Sequence, residues 1–155
     1  MESYVLLGII ILCIFVWKRK YRENNVNKKV AQKETVDGIY IVDSYGSLYH
    51  EHACYLAQKY VEIAERKGKS TGFHAHNNQN LAFANTVETL SYGVSYLDAS
   101  MMGMGRGAGN CAMELLLGFL KNPKYSVYNL LDFIEKYMLP LQEQGITWGF
   151  NIPYM

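Results

Sequence analysis

The chain has almost no excess of charge: 15 lysines and arginines stand against 14 aspartates and glutamates, for a net charge of +1. Its few basic clusters sit at one end, so nothing suggests a nucleic-acid-binding face, which needs clustered positive charge opposite phosphates. Prolines and cysteines are equally scarce, three of each. Cys13, Cys54 and Cys111 lie far apart and form no C-x-x-C pair, so they carry no zinc or redox motif and read as reduced thiols in a cytoplasmic protein. Small apolar filler is the ordinary role for such residues. A small-molecule or protein partner is the class that remains.

A long hydrophobic run is also missing. The stretch YVLLGIIILCIFVW, Tyr4 to Trp17, carries no charge, but as a helix it would span only about 21 Å against a hydrocarbon core of roughly 30 Å. It begins MES and exits through Trp17 and Lys18, which argues against a cleaved signal peptide. Two readings of residues 1–34 stay open: a weak membrane anchor through 4–17, or an aberrant start followed by a polar linker. Should the segment insert, Lys18, Arg19, Lys20, Arg22, Lys28 and Lys29 keep the body on the cytoplasmic side.

What the chain does have is hydrophobic residues, 50% of 155, enough for one core with an appended segment. The apolar, β-branched run Gly38–Ser44 predicts a parallel strand covered on both faces. Apolar residues at helical spacing predict a helix from Leu48 to Lys67, with Gly68 at its C-cap. A strand over Thr71–His76, a helix over about Leu81–Tyr92 stopped at Gly93, and a strand over Val94–Ser100 follow. Next come the glycine-rich loop Gly103–Asn110 and a helix over Ala112–Leu120. Three successive β-α units predict an α/β fold with a parallel sheet, and such folds place ligands beyond the carboxyl ends of their strands. After Pro123 the pattern is helical alone, from Val127 to Leu141, bent or closed by Pro140.

Alternate side chains of a strand share a face, so His74 and His76 point the same way and two imidazoles can take adjacent positions on one metal ion. Hydrogen-bonded polar residues at a strand end are the plainer alternative. His50 and His52 have the same spacing on a predicted helix, where residues two apart do not face each other, and are expected to be solvated.

The stretch GFHAHNNQNLAFANTVETLSYGVSYLDASMMGMGRGAGNCAMELLLGFL is more specific than the histidine pair. It resembles the strand 7 to strand 8 region of the 4-hydroxy-2-oxovalerate aldolases, which are related to hydroxymethylglutaryl-CoA lyase and isopropylmalate synthase. The shared words are H-x-H-N, A-N-[ST], a D-[AG]-S strand ending and G-x-G-x-G-A-G-N. The resemblance runs from about Val36 to Met155.

It implies a partial (β/α)8 TIM barrel over 35–122 and a truncated post-barrel helical segment over 123–155. It also implies that His74 and His76 are metal ligands, with Asn110 where some relatives place an amide ligand; a left-handed turn residue is the alternative for Asn110. Asp43 and Ser44 fall where the family contacts the substrate's pyruvyl carboxylate, and Tyr154 matches a tyrosine reaching the active site, or else an aromatic packed among the later helices. Asp98 and Ser100 would orient the ligands, and Arg106 would attract an anion or merely be solvated.

The implied reaction is metal-dependent cleavage of a 4-hydroxy-2-oxo acid to pyruvate and an aldehyde. Mn²⁺ is the first expectation, with Mg²⁺, Co²⁺, Fe²⁺ and Zn²⁺ as competitors. An aldehyde dehydrogenase is an implied partner. The family's strand 1 motif, an arginine, a metal-binding aspartate and a nearby catalytic histidine, has no counterpart before Val36, so the chain alone is expected to be inactive. A Claisen-condensing acyl-CoA relative and a non-catalytic, membrane-tethered remnant are the alternatives.

Overall fold

The computed structural model describes residues 35–120 and 124–149. The apolar run at 4–17 and Tyr154 lie outside the described residues. No helix among the described residues is long and apolar enough to cross a membrane.

Three strands form one parallel sheet in the order β1-β2-β3. Strand β1, Gly38–Asp43, pairs with β2, Ser70–Ala75, in a register running from Gly38 opposite Ser70 to Asp43 opposite Ala75. Strand β3, Tyr96–Leu97, pairs with β2 at Gly72 and Phe73. Between and after the strands come helices α1, His50–Glu65, α2, Ala82–Thr89, and α3, Met113–Leu120.

The apolar stripe of α1, Ala53, Leu56, Ala57, Tyr60, Val61 and Ala64, is buried with Ile39, Ile41, Phe73 and Ala75 of the sheet in one core. Full burial of each larger apolar side chain there contributes roughly 1.5–3 kcal/mol. Helix α1 ends where the sequence predicts. Gly68 sits at φ +62°, its N–H bonds Glu65 O at 3.0 Å and the N–H of Lys69 bonds Ala64 O at 3.0 Å, the paired bonds of a glycine-stopped helix.

The sheet is not covered on both faces within the described residues. Ile39, Ile41 and Asp43 are buried, whereas Tyr40, Val42 and His74 on the opposite face are only partly so. The apolar alternation of β1 is thus that of a strand with one packed face and one half-open face.

The third strand is also shorter than the predicted Val94–Ser100. Ser95 N–H bonds Thr71 O at 2.8 Å and Asp98 N–H bonds Phe73 O at 3.0 Å, but next along β2 it is Cys111 N–H that takes Ala75 O, at 3.2 Å. The returning end of the glycine-rich loop therefore claims the edge of β2 and displaces the rest of β3. Isolated bridges join His76 to Asn110 and Ser100 to Ala112 at this crossing.

Beyond α3, the chain from Val127 to Glu143 is helical throughout, as α4 (Val127–Phe133), a π-helical turn (Ile134–Met138) and α5 (Leu139–Glu143). The widened turn ends two residues before Pro140, which lacks an N–H and crowds the carbonyl four residues back.

Candidate metal centre at the carboxyl ends of the strands

His74 is the fifth residue of β2 and shares its half-open face; His76 lies just past the strand end. Their rings stand 5.1 Å apart between centroids, inclined at 73°. His74 Nδ1 is 3.2 Å from Asp98 Oδ2, and His76 Nδ1 is 3.0 Å from the backbone oxygen of Asp43. A carbonyl oxygen only accepts, and so does an ionised carboxylate, so Nδ1 is the protonated nitrogen in both rings. Each Nε2 is left as a lone-pair donor, the arrangement that fixes a metal-binding imidazole.

Asn110 joins this corner through the bridge to His76. Its Nδ2 donates to Met104 O at 2.9 Å and to Ser100 Oγ at 3.4 Å, while its buried Oδ1 has no hydrogen-bond partner among the described residues. A buried amide oxygen left without a donor costs stability unless something meets it. The glycines around it make the approach: a Cβ on Gly105 would meet the Asn110 side chain, and one on Gly109, at φ +81°, would collide with Gly103 O. The loop is further held by Met102 N–H on Glu114 Oε2 at 3.0 Å and by Trp148 Nε1 on Met102 O at 3.2 Å. Arg106 is exposed on the same loop.

Asp43, at the end of β1, is 5% exposed. Its two carboxylate oxygens accept from Ser47 N–H at 3.0 Å and Leu48 N–H at 3.1 Å, so both face the turn into α1. Burial pushes its carboxyl up from the ordinary value, opposed by the N–H groups of Leu48 and Ser47 and by nearby His76. Asp43→Ala is expected to lower stability by about 1.5–3 kcal/mol, the value of hydrogen bonds to a charged group, in urea unfolding; a loss below 0.5 kcal/mol would show that the turn does not depend on it. Ser44 is the next residue, and its buried Oγ, like Asn110 Oδ1, has no partner among the described residues.

Sequence reasoning passed over three features of this corner. Asn77 Oδ1 accepts Ala82 N–H at 3.2 Å, and Asn78 joins Tyr45 O at 2.5 Å to Ala108 N–H at 3.4 Å, so the asparagines after the histidine pair tie two loops together. Tyr40 faces the same side as His74, and burial, then the charges of Asp98 and Tyr96, raise its hydroxyl pKa; it stays a proton donor at neutral pH. His50 does not stand alone in solvent either: it meets Cys54 and Glu88, away from the histidine pair.

His74, Asp98 and Asn110 line an open groove of about 800 Å³ with Tyr96, Met113 and Leu116, and the His76 ring stands beside that of His74. Two imidazole nitrogens and an orphaned amide oxygen fit a divalent ion. Among the described residues no carboxylate joins both imidazoles in one ligand set; Asp98 is spent on His74 Nδ1.

A family model described as HMGL-like matches residues 24–135. The chain belongs to the HMGL-like family. Among its relatives, the 4-hydroxy-2-oxovalerate aldolase of Thermus thermophilus is 42% identical over 109 residues, covering 68% of this chain and 31% of the relative. That of Chloroflexus aurantiacus is 36% identical over 117 residues, covering 73% and 33%. An oxaloacetate decarboxylase of Mycobacterium tuberculosis is 43% identical over 84 residues, covering 54% and 24%. The chain therefore spans about a third of the length of the aldolases it matches. The crystal structure of the N-terminal domain of a Bacteroides vulgatus protein named as an aldolase superposes with a TM-score of 0.71 at 32% identity, over 90% of this chain and 45% of that one. The resemblance first seen in H-x-H-N and the glycine-rich loop is thus that of an HMGL-like chain related to lyases.

Proposed function

We propose that this HMGL-like chain supplies the closing strands of a (β/α)8 barrel in a metal-dependent aldolase that cleaves a 4-hydroxy-2-oxo acid to pyruvate and an aldehyde. In this reading residues 35–122 belong to the barrel and residues 123–155 to a helical segment after it. The observation that carries it is the pairing of His74 and His76, whose rings stand 5.1 Å apart with each Nδ1 held and each Nε2 free, in a chain whose relatives are named for this activity.

His74, His76 and Asn110 would hold the ion, and imidazole with oxygen ligands suits Mn²⁺, with Mg²⁺, Co²⁺ and Zn²⁺ as competitors. Such an ion supplies positive charge to the carboxylate and ketone oxygens of a 2-oxo acid. Asp98 locks the His74 ring and Ser100 holds Asn110. In the cleavage the 4-hydroxyl loses its proton, the C3–C4 bond breaks to leave the aldehyde, and the electron pair remaining on C3 is stabilised as pyruvate enolate before it takes up a proton. Ser44 Oγ, buried and without a partner among the described residues, would donate to the substrate carboxylate. Asp43 supports that position by holding the turn. A cytoplasmic location and an aldehyde dehydrogenase to consume the aldehyde complete the proposal.

A second reading, decarboxylation of oxaloacetate, is favoured by the Mycobacterium tuberculosis relative; it passes through the same enolate with carbon dioxide as the other product. The two separate in one experiment. Residues 35–149 are grafted in place of the matching segment of the Thermus thermophilus aldolase, and pyruvate release is measured with Mn²⁺ from 4-hydroxy-2-oxovalerate and from oxaloacetate. Cleavage of the hydroxy acid at the faster rate is expected. Turnover of oxaloacetate alone would establish the second reading instead, and turnover of neither would reject both.

A further inference from the structure

On the outer, helical side of the sheet, His50 and Cys54 occupy positions i and i+4 of α1, and therefore one face of it. His50 Nε2 lies 3.6 Å from Cys54 Sγ, and Nδ1 lies 3.9 Å from it. Glu88, near the end of α2, brings a carboxylate to the same place, so that one ligand atom from each of the three residues lies within 4.8 Å of the other two. We propose that His50, Cys54 and Glu88 form a second metal site, for Zn²⁺, that clamps α1 to α2 and is separate from the centre at His74 and His76.

The distances fit this ion. With Zn–S of about 2.3 Å and Zn–N of about 2.0–2.1 Å at tetrahedral angles, sulfur and nitrogen ligands stand roughly 3.6 Å apart. That is the separation already present before any ion is bound. The donor set, one thiolate, one imidazole and one carboxylate, selects Zn²⁺ over Mn²⁺ or Mg²⁺, because a soft sulfur ligand disfavours the harder ions. Thiolate and carboxylate together balance the charge of the ion, and the fourth position is open to water.

The surroundings support the site. Cys54 is 8% exposed and His50 is exposed, so sulfur is shielded while the imidazole can swing onto an arriving ion. No lysine or arginine among the described residues pairs with Glu88, which leaves its carboxylate to the cluster. The site also stands close to the active end of the sheet. Asp43 holds Leu48 N–H, and Asn85 Nδ2 of α2 donates to Leu48 O at 2.9 Å, so the loop entering α1 is fixed from both neighbours. Zinc at the clamp would stiffen that loop.

The test is titration of the 155-residue chain with Co²⁺, whose thiolate bond gives a sulfur-to-metal charge-transfer band in the near ultraviolet. One equivalent is expected to produce the band, and Zn²⁺ to displace it. Cys54→Ser should abolish it, and His50→Ala and Glu88→Gln should each weaken binding at least tenfold. A His74→Ala/His76→Ala double variant should keep it in full, which separates this site from the proposed aldolase centre. In the unsubstituted chain, stoichiometric Zn²⁺ should slow alkylation of Cys54 by iodoacetamide at least tenfold, read by peptide mass mapping; this arm needs no variant to fold. Absence of the band from the unsubstituted chain, its survival in Cys54→Ser, its loss in the His74/His76 variant, or alkylation of Cys54 at an unchanged rate with zinc would each overturn the proposal.

Discussion

A polypeptide of these 155 residues, supplied with Mn²⁺, is expected to release pyruvate from 4-hydroxy-2-oxovalerate at least 10²- to 10⁴-fold more slowly than an intact aldolase relative, the range that general acid–base assistance alone is worth. The donor set explains why. His74, His76 and Asn110 bring neutral nitrogen and oxygen ligands to one corner, but the nearest carboxylate, Asp98, is turned to His74 Nδ1. The ion's charge would be uncompensated by the ligands described, and most coordination positions would go to water. Of the described residues at this corner, neither Asp43 nor Tyr40 is a ready base for the 4-hydroxyl: Asp43 is bonded to the Ser47 and Leu48 N–H groups, and Tyr40 remains protonated. Barrel enzymes assemble such groups from several strands, and the described residues supply three. Coupled measurement of pyruvate decides the matter; turnover within tenfold of the intact relative would mean that a residue outside this corner supplies the carboxylate and the base.

In the grafted enzyme, His74→Ala and His76→Ala are each expected to weaken Mn²⁺ binding by more than tenfold and to abolish cleavage together with it, because each removes a bond to the ion. Asp98→Ala, which frees the His74 ring without removing a ligand, should cost roughly 10- to 100-fold in metal affinity. His52→Ala should be neutral in both measurements, since His52 is exposed and its ring lies beside Tyr49, 6.2 Å away between ring centroids. Calorimetric titration that gave unchanged Mn²⁺ affinity in both His74 and His76 variants would reject the centre.

The sequence made the histidine pair legible because period-two alternation is a property of the strand itself: His74 and His76 share a side whatever packs against it. Gly68 was legible for a similar reason, since a left-handed residue must end a helix that stops there. The full length of β3 was not, because its exit from the ladder is decided by Cys111 returning to take Ala75 O, a contact between segments on either side of the glycine-rich loop. Asp43 was expected near substrate from the family resemblance alone; that its carboxylate also takes Ser47 and Leu48 N–H depends on how the following turn folds back, which no local pattern shows. His50 was weighed only against His52, two residues on, where a helix separates side chains. The relevant spacing was four, to Cys54, and the third member, Glu88, lies on another helix where no local pattern could announce it.

The central claim is that His74 and His76 bind one metal ion side by side, and pulsed electron paramagnetic resonance of Mn²⁺ in the grafted enzyme tests it most directly. Two imidazole nitrogens coupled to the manganese are predicted, falling to one in either His74→Ala or His76→Ala and to none in the double variant. Nitrogen coupling that persists in the double variant, or that is absent from the unsubstituted graft, would contradict it.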